Sequence, residues 1–322
     1  MFNDHAEAVP SPRSADADAD AGGAGLGQPQ VRRAPAKLNL FLEVTTRRDD
    51  GYHAIETLMV TLDWYDLLTA RDDPSGLVRL TCDDPGLPTD ATNLVVRAAE
   101  AIRRDLGVTR GVAFHLSKAI PSESGLGGGS SDAASALLLL RTLWGLEDRL
   151  GPVRLAELAA GLGSDVPFFL TGGAAVCRGR GELVEPIACP RYWFVVVRPP
   201  FGIATARVYH GLELPARPTP IGPVQEAFLS GDPEALGGLL FNRLQPRAER
   251  LAPGLGRVRH ALDELIPHDC VGALMSGSGS ACFALARTRD HASAAAARLL
   301  ERHPGIGRVQ VVSCGPGDDT AT

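Results

Sequence analysis

Lysine is almost missing from this 322-residue chain: of 32 basic side chains only Lys37 and Lys118 are lysine, and the rest are arginine. A genome-wide push toward arginine accounts for the bias. A lysine that survives it marks either chance or a place where a compact ammonium is needed and a planar guanidinium would not fit. Other absences exclude whole classes. No run of about 18 apolar residues exists, and the greasiest stretch, 136–140, is far too short to span a bilayer. No basic region followed by an apolar core opens the chain, so a secretory signal is not expected and the protein is read as cytoplasmic, with no membrane partner. The cysteines at 82, 177, 189, 270, 282 and 314 form no CxxC pair and no Cys/His cluster, which argues against structural zinc and for free buried thiols in a reducing cytoplasm. Nor is there a basic excess: 32 basic residues face 38 acidic ones, a net charge of −6, so a nucleic-acid partner is not expected.

What is present describes a folded protein, 44% hydrophobic and 22% charged. The length suits two domains or one large one. Residues 1–30, rich in Ala, Asp, Gly and Pro, read as a disordered tail. From Ala36 to Val44, apolar residues occupy every second position, the period of a half-buried strand with Lys37, Asn39, Phe41 and Glu43 on its other face. A second strand is expected over 52–62, a helix over 93–106 capped by Thr92, a strand over 112–116, and helices from Asp132 to about Trp144 and over 153–162. The C-terminal part reads as strand, SGSGS turn (276–280), strand, helix (290–303) and strand (307–313), a split βαβ layer. The fold class is therefore α+β with two lobes, 31–187 and 188–322, and no internal repeat.

The strongest local signal is the loop Pro121, Ser122, Glu123, Ser124, Gly125, Leu126, Gly127, Gly128, Gly129, Ser130 and Ser131. Four glycines in five positions leave backbone N–H groups bare, and the helix that follows presents its positive end. That combination suits a phosphate. The loop is not a Walker A loop, because no Gly-Lys-Ser/Thr closes it, and Ser130 stands where a Rossmann fingerprint needs its third glycine. A flexible turn is the alternative.

The stretch PSESGLGGGSSDAA resembles the ATP-binding signature of the GHMP kinases, and APAKLNLFLEV, RRDDGYHAIETLM, LGSDVPFFLTGGAAVCRGRGE and the SGSGS turn extend the likeness over residues 31–313. Within that family these segments are similar to the branch that phosphorylates a cytidine diphosphate-linked methylerythritol, at its 2-hydroxyl, in the non-mevalonate isoprenoid pathway. The resemblance implies a two-lobed fold, with an N-terminal lobe like an RNA-binding domain of the translation machinery and a ferredoxin-like C-terminal lobe. It implies ATP and Mg²⁺, a small-molecule substrate, and Lys37 and Asp165 as the catalytic pair. In that chemistry an aspartate accepts the hydroxyl proton while a neighbouring ammonium keeps it ionised. A solvated strand lysine and a helix-capping aspartate are the plain alternatives.

Further residues follow from the same likeness. Asn39 shares the face of Lys37 and would touch the substrate. Tyr52 and His53 would stack on and read the cytosine, with Tyr209 as the second aromatic and Thr205 a polar contact beside it. Lys118, at the mouth of the loop, and Asn93 would line the adenosine side. Ser130 is the one metal ligand on offer, so the metal would be held mainly by phosphates. Glu123, where relatives carry a small or apolar residue, is expected to point outward. A homoserine- or mevalonate-type kinase is the nearest alternative, disfavoured because DGYH supplies a base reader that a substrate without a base does not need. An RNA-binding module is a remote alternative on fold analogy alone. Either a monomer or a homodimer is compatible with the sequence.

Overall fold

The protein is described by a computed structural model over residues 28–316. Most of the expected tail therefore falls outside the described residues, and Gln30 already opens the first strand. Two long strands, β1 (Gln30–Arg47) and β2 (His53–Asp73), pair antiparallel along nearly their whole length and form the spine of the molecule. β3 (Val78–Cys82), β4 (Gly111–Ser117), β5 (Ala174–Arg178) and β6 (Leu183–Ile187) extend the same sheet, with β4 and β5 both pairing to β2. Four helices, α1 (Leu94–Leu106), α2 (Gly128–Leu143), α3 (Pro152–Leu162) and α4 (Val166–Thr171), belong to this lobe. The Ala- and Leu-rich α2 is buried on most sides, packed on α1, α3, α4 and both long strands.

The second lobe starts with β7 (Tyr192–Arg198), followed by α5 (Thr205–Tyr209), α6 (Gly222–Leu229), α7 (Pro233–Gly237), β8 (Phe241–Asn242), α8 (Gln245–Leu251) and α9 (Pro253–Asp263). It closes with β9 (Cys270–Met275), β10 (Cys282–Ala286), α10 (Arg289–Arg302) and β11 (Arg308–Cys314). Its sheet runs β11-β7-β10-β9, the antiparallel order of a ferredoxin-like split βαβ layer. β8 does not join it. That short strand pairs parallel with β1, through Phe41 and Leu42, and so belongs to the first lobe's sheet.

Three local readings are corrected. β1 is not half-buried: Lys37, Asn39, Phe41 and Glu43 are as buried as the apolar face, because the second lobe covers them. Phe241 packs on Phe41 with ring centroids 5.6 Å apart, and Arg243 forms a two-pronged pair with Glu43. The cap of α1 is Asn93 and not Thr92; Asn93 Oδ1 accepts from Val95 N, while Thr92 Oγ1 donates to Asp90 Oδ1. Helix α2 begins at Gly128 and not Asp132, since Ser131 N already donates to the Gly127 carbonyl. The cysteines are free, as expected, although Cys82 and Cys189 are only half-buried.

Candidate active site

The site forms where β1, the glycine loop and the turn between β9 and β10 meet. Lys37 is 3% exposed; its backbone N–H donates to the Leu126 carbonyl at 2.9 Å, which ties the strand to the loop. Its Nζ donates to Asn39 Oδ1 and lies 3.7 Å from Asp165 Oδ2. Burial pushes the Lys37 pKa down, and the Asp165 carboxylate opposes that shift. Asn39 is oriented in turn, since its Nδ2 donates to Thr57 Oγ1 at 2.9 Å and Thr57 donates to the Phe41 carbonyl. Asp165 sits at the N-terminal cap of α4 but makes no side-chain capping bond. Its carboxylate is one-third exposed and free to meet a hydroxyl.

Gly127 shows why the loop must be glycine. Its φ of 74° is left-handed, and a Cβ there would come within 2.8 Å of Phe169 and 2.9 Å of Lys37 Cγ. Gly125 is equally constrained, because an added Cβ would strike the Ser276 carbonyl at 2.3 Å. Ser276 Oγ donates to the Gly125 carbonyl, and Ala281 N donates to the Ser124 carbonyl. The two glycine-bearing turns thus interlock across the lobes. Gly277, in the second of them, lies against Lys37 Nζ and Asn39 Oδ1. Gly128, Gly129, Ser130 and Ser131 form the first turn of α2, and the amides of the first three have no helical partner and suit an anion. Ser131 Oγ is buried without a protein partner, and Ser130 Oγ lies near Gly163, two residues before Asp165. In the front of the loop, Ser124 donates to the Pro121 carbonyl, Leu126 is buried, and Ser122 and Glu123 are exposed. Glu123 does point outward, in a left-handed conformation at φ 50°, with its side chain alongside Gly202 of the second lobe.

Lys118 departs from its expected place. It is not a free cation at the loop mouth but a buried one, paired to Asp66 Oδ2 and, at 2.8 Å, to Asp132 Oδ2. Asp66 also accepts from the backbone N–H groups of Ala119 and Ile120. Gly128 packs directly on this cluster, so β2, the loop entrance and α2 are pinned together beneath the phosphate loop. Burial, and then the neighbouring Asp66 carboxylate, push the Asp132 pKa up to about 7 against the pull of Lys118. Burial alone would lower Lys118, but the two carboxylates win and its pKa rises. A carboxylate that holds its proton more tightly when folded contributes most stability below about pH 4, and that contribution declines until pH 7. Asp132→Asn lacks this decline. Its unfolding free energy relative to the parent should therefore rise by roughly 2 kcal/mol between pH 5 and pH 8. Denaturant titrations at both pH values check this; parallel profiles would show that Asp132 is ionised throughout.

On the far side of the cleft, His53 and Tyr209 come together with ring centroids 5.3 Å apart. Burial, then Arg47, lowers the His53 pKa, which favours a neutral ring able to donate and accept. Burial, then the nearby Asp165 charge, raises Tyr209. Tyr52 is 55% exposed and does not pair with Tyr209; the Arg180 guanidinium lies over its ring at 5.0 Å. Thr205 Oγ1 is 2.8 Å from Ser278 Oγ, at the edge of the same turn. Asn93 stands apart, with Oδ1 spent on its own helix and Nδ2 on the Pro88 carbonyl.

Several participants escaped the sequence reading: Thr57, Asp66, Asp132, Ser276, Gly277 and Arg180. The SGSGS turn was visible as a turn, but its contact with Lys37 depends on a tertiary approach across more than 200 residues. For a metal, no group of three His, Cys, Asp or Glu side chains stands ready among the described residues. Together these groups can cradle polyphosphate on backbone amides, hold an ammonium at the transfer point, and offer a carboxylate to a hydroxyl proton.

The chain matches the N-terminal domain of GHMP kinases over residues 93–173 and their C-terminal domain over residues 224–305. It is 40% identical over 268 residues to 4-diphosphocytidyl-2-C-methyl-D-erythritol kinase of Pelotomaculum thermopropionicum, covering 82% of this chain and 92% of that one. It is 44% identical over 260 residues to the like-named protein of a Polaromonas species, covering 78% and 82%. A crystal structure of a 4-(cytidine 5'-diphospho)-2C-methyl-D-erythritol kinase superposes with a TM-score of 0.73 at 38% identity, over 89% of this chain and 100% of that one. A homoserine kinase from Cytophaga hutchinsonii shares the fold, with a TM-score of 0.70 at 21% identity, over 92% and 97%.

Proposed function

The chain belongs to the GHMP kinases and, among them, to the 4-diphosphocytidyl-2-C-methyl-D-erythritol kinases, which transfer phosphoryl from ATP to a hydroxyl of that alcohol in isoprenoid precursor synthesis; on that premise we propose that Lys37 and Asp165 carry out the transfer. The observation that carries the assignment is Lys37 Nζ, buried and 3.7 Å from Asp165 Oδ2, at the foot of the glycine loop. Asp165 takes the proton of the acceptor hydroxyl, the 2-hydroxyl by family likeness, as it attacks the γ-phosphorus of ATP. Lys37 pairs with that carboxylate and faces the charge that builds on the transferring group. Asn39 contacts the substrate from the same strand. The ATP phosphates rest on Pro121–Ser131, chiefly on the amides of Gly127–Ser130, with the adenosine toward Lys118. Since Lys118 is already neutralised by Asp66 and Asp132, it acts by supporting the loop more than by offering a free charge.

Magnesium, when bound, would supply neutralisation of the phosphate oxygens, and Ser130 at the start of α2 would be the side chain to hold it. Ser130 fits as its one protein ligand, because this ion keeps waters and phosphates in most of its positions. The reaction takes place in the cytoplasm, and the site is shared between a lobe of residues 31–187, with the ATP loop and catalytic pair, and a lobe of residues 188–322.

Tyr52 stacks on the cytosine, His53 reads its edge, and Tyr209 with Thr205 bounds the pocket from the second lobe. Tyr52→Ala should raise KM for the cytidyl substrate by a factor worth about 1–3 kcal/mol. The KM for ATP should stay nearly unchanged, and Tyr52→Phe should be mild. The loss falls in KM because the base lies far from the transferring phosphoryl group and stacks alike in ground and transition states. Steady-state kinetics on both variants, alongside mass-spectrometric ATP consumption with homoserine, mevalonate and the cytidyl compound, test the reading. Equal loss for ATP and for the cytidyl substrate would remove Tyr52 from the base site.

A further inference from the structure

We propose that Arg180 is a positioning residue for the nucleobase: its guanidinium backs one side of the Tyr52 ring and fixes the plane on which cytosine stacks. The inference rests on the base-stacking role proposed for Tyr52.

Tyr52 follows the turn between the two long strands and is more than half exposed. Arg180 faces its ring. It belongs to the turn Gly179–Gly181 between β5 and β6, and its guanidinium carbon lies 5.0 Å from the Tyr52 ring centroid. The arginine is itself held. Nε is 3.6 Å from Glu182 Oε1, one terminal nitrogen donates to the Ala160 carbonyl at 3.4 Å, and its backbone N–H donates to Glu182 Oε2. Ala160 lies in the last turn of α3, where exposed carbonyls favour a cation. The side chain is 26% exposed, so it forms part of the frame and not a loose occupant of the base's seat.

The same turn reaches the chemistry. A Cβ on Gly181 would lie 3.6 Å from the Ser164 carbonyl, next to Asp165. One short segment therefore touches both the residue preceding the proposed base and the ring proposed to hold the substrate. A planar guanidinium can face an aromatic ring broadside, whereas an ammonium presents only a point charge. Charge alone would be served by either. With Arg180 on one face of the ring, cytosine takes the open side and loses less orientational freedom on binding.

The test is a double-mutant cycle read as KM for the cytidyl substrate at saturating ATP, on the parent, R180A, R180K, Y52A and the R180A/Y52A pair. R180A should raise KM about fivefold, with kcat and the KM for ATP within about twofold of the parent. Y52A should raise it further, and adding R180A to Y52A should change nothing more, because Arg180 acts only through the ring. R180K, which keeps the charge and can still reach Glu182, should remain about threefold above the parent. A KM lowered by R180A would mean that the arginine occupies the base's seat, and the proposal falls. Equal effects of R180A with and without Tyr52, or full rescue by R180K, would mean direct charge contact with the substrate, and it falls again. If Y52A raises KM while R180A does not, the stacking role survives and only the backing role is lost. An unchanged KM in Y52A overturns both.

Discussion

Asp165→Asn should keep the fold and ATP binding and lose most of its turnover, on the order of 10²-fold or more. The amide is nearly isosteric and cannot take a proton. Asp165 makes no capping bond to α4, so its replacement leaves that helix start intact. The ammonium of Lys37 keeps its buried contact with Asn39 in the variant, although the ionic partner at 3.7 Å is gone. Single-turnover phosphoryl transfer, with ATP binding measured separately by calorimetry, separates the chemical step from binding. A variant within about threefold of the parent rate would overturn the base assignment.

Lys37→Arg should be nearly as damaging, by about 10²-fold in turnover, although its charge is retained. The reason is space. Gly127 closes on the Lys37 stem and Gly277 on its ammonium, leaving no room for a wider, forked group. Overpacking of this kind typically costs about 1–3 kcal/mol, so a melting temperature lowered by several degrees should accompany the kinetic loss. Lys37→Met separates the two effects, since it removes the charge at similar volume. It should melt close to the parent and still turn over poorly. Near-normal turnover in Lys37→Arg would make the survival of this lysine an accident of composition.

Much of the site was legible because its signals are local. The glycines of the loop declare a backbone that must approach something closely, and the alternation from Ala36 to Val44 placed Lys37 and Asn39 on one face. The split βαβ layer was legible from its turn and helix spacing. What could not be read were consequences of one lobe lying on the other. The polar face of β1 looked solvated because nothing nearby in sequence covers it; its cover comes from Phe241, Arg243 and Gly277, some 200 residues on. Lys118 read as a nucleotide contact at the loop mouth for the same reason, since Asp66 reaches it from a strand more than 50 residues earlier. The two-residue strand β8 has no periodicity to detect. Arg180 was one arginine among many until the turn that carries it brought it over an aromatic ring.

The pairing of β8 with β1, and the lock between Gly125 and Ser276, have a bearing on how such an enzyme can move. Many kinases close like a jaw around their substrates. Here the line along which a jaw would open is stitched by backbone pairing at one point and by a serine bond at another, with Lys37 on the strand that carries the first and bonded to the loop that carries the second. Beneath it, Leu38, Phe41, Trp64, Phe194 and Phe283 form one shared core from both lobes. Parting the halves would expose that core to water, so the packing itself opposes such an opening. The centre is built more like an anvil than a hinge, with the accuracy of its geometry set by packing.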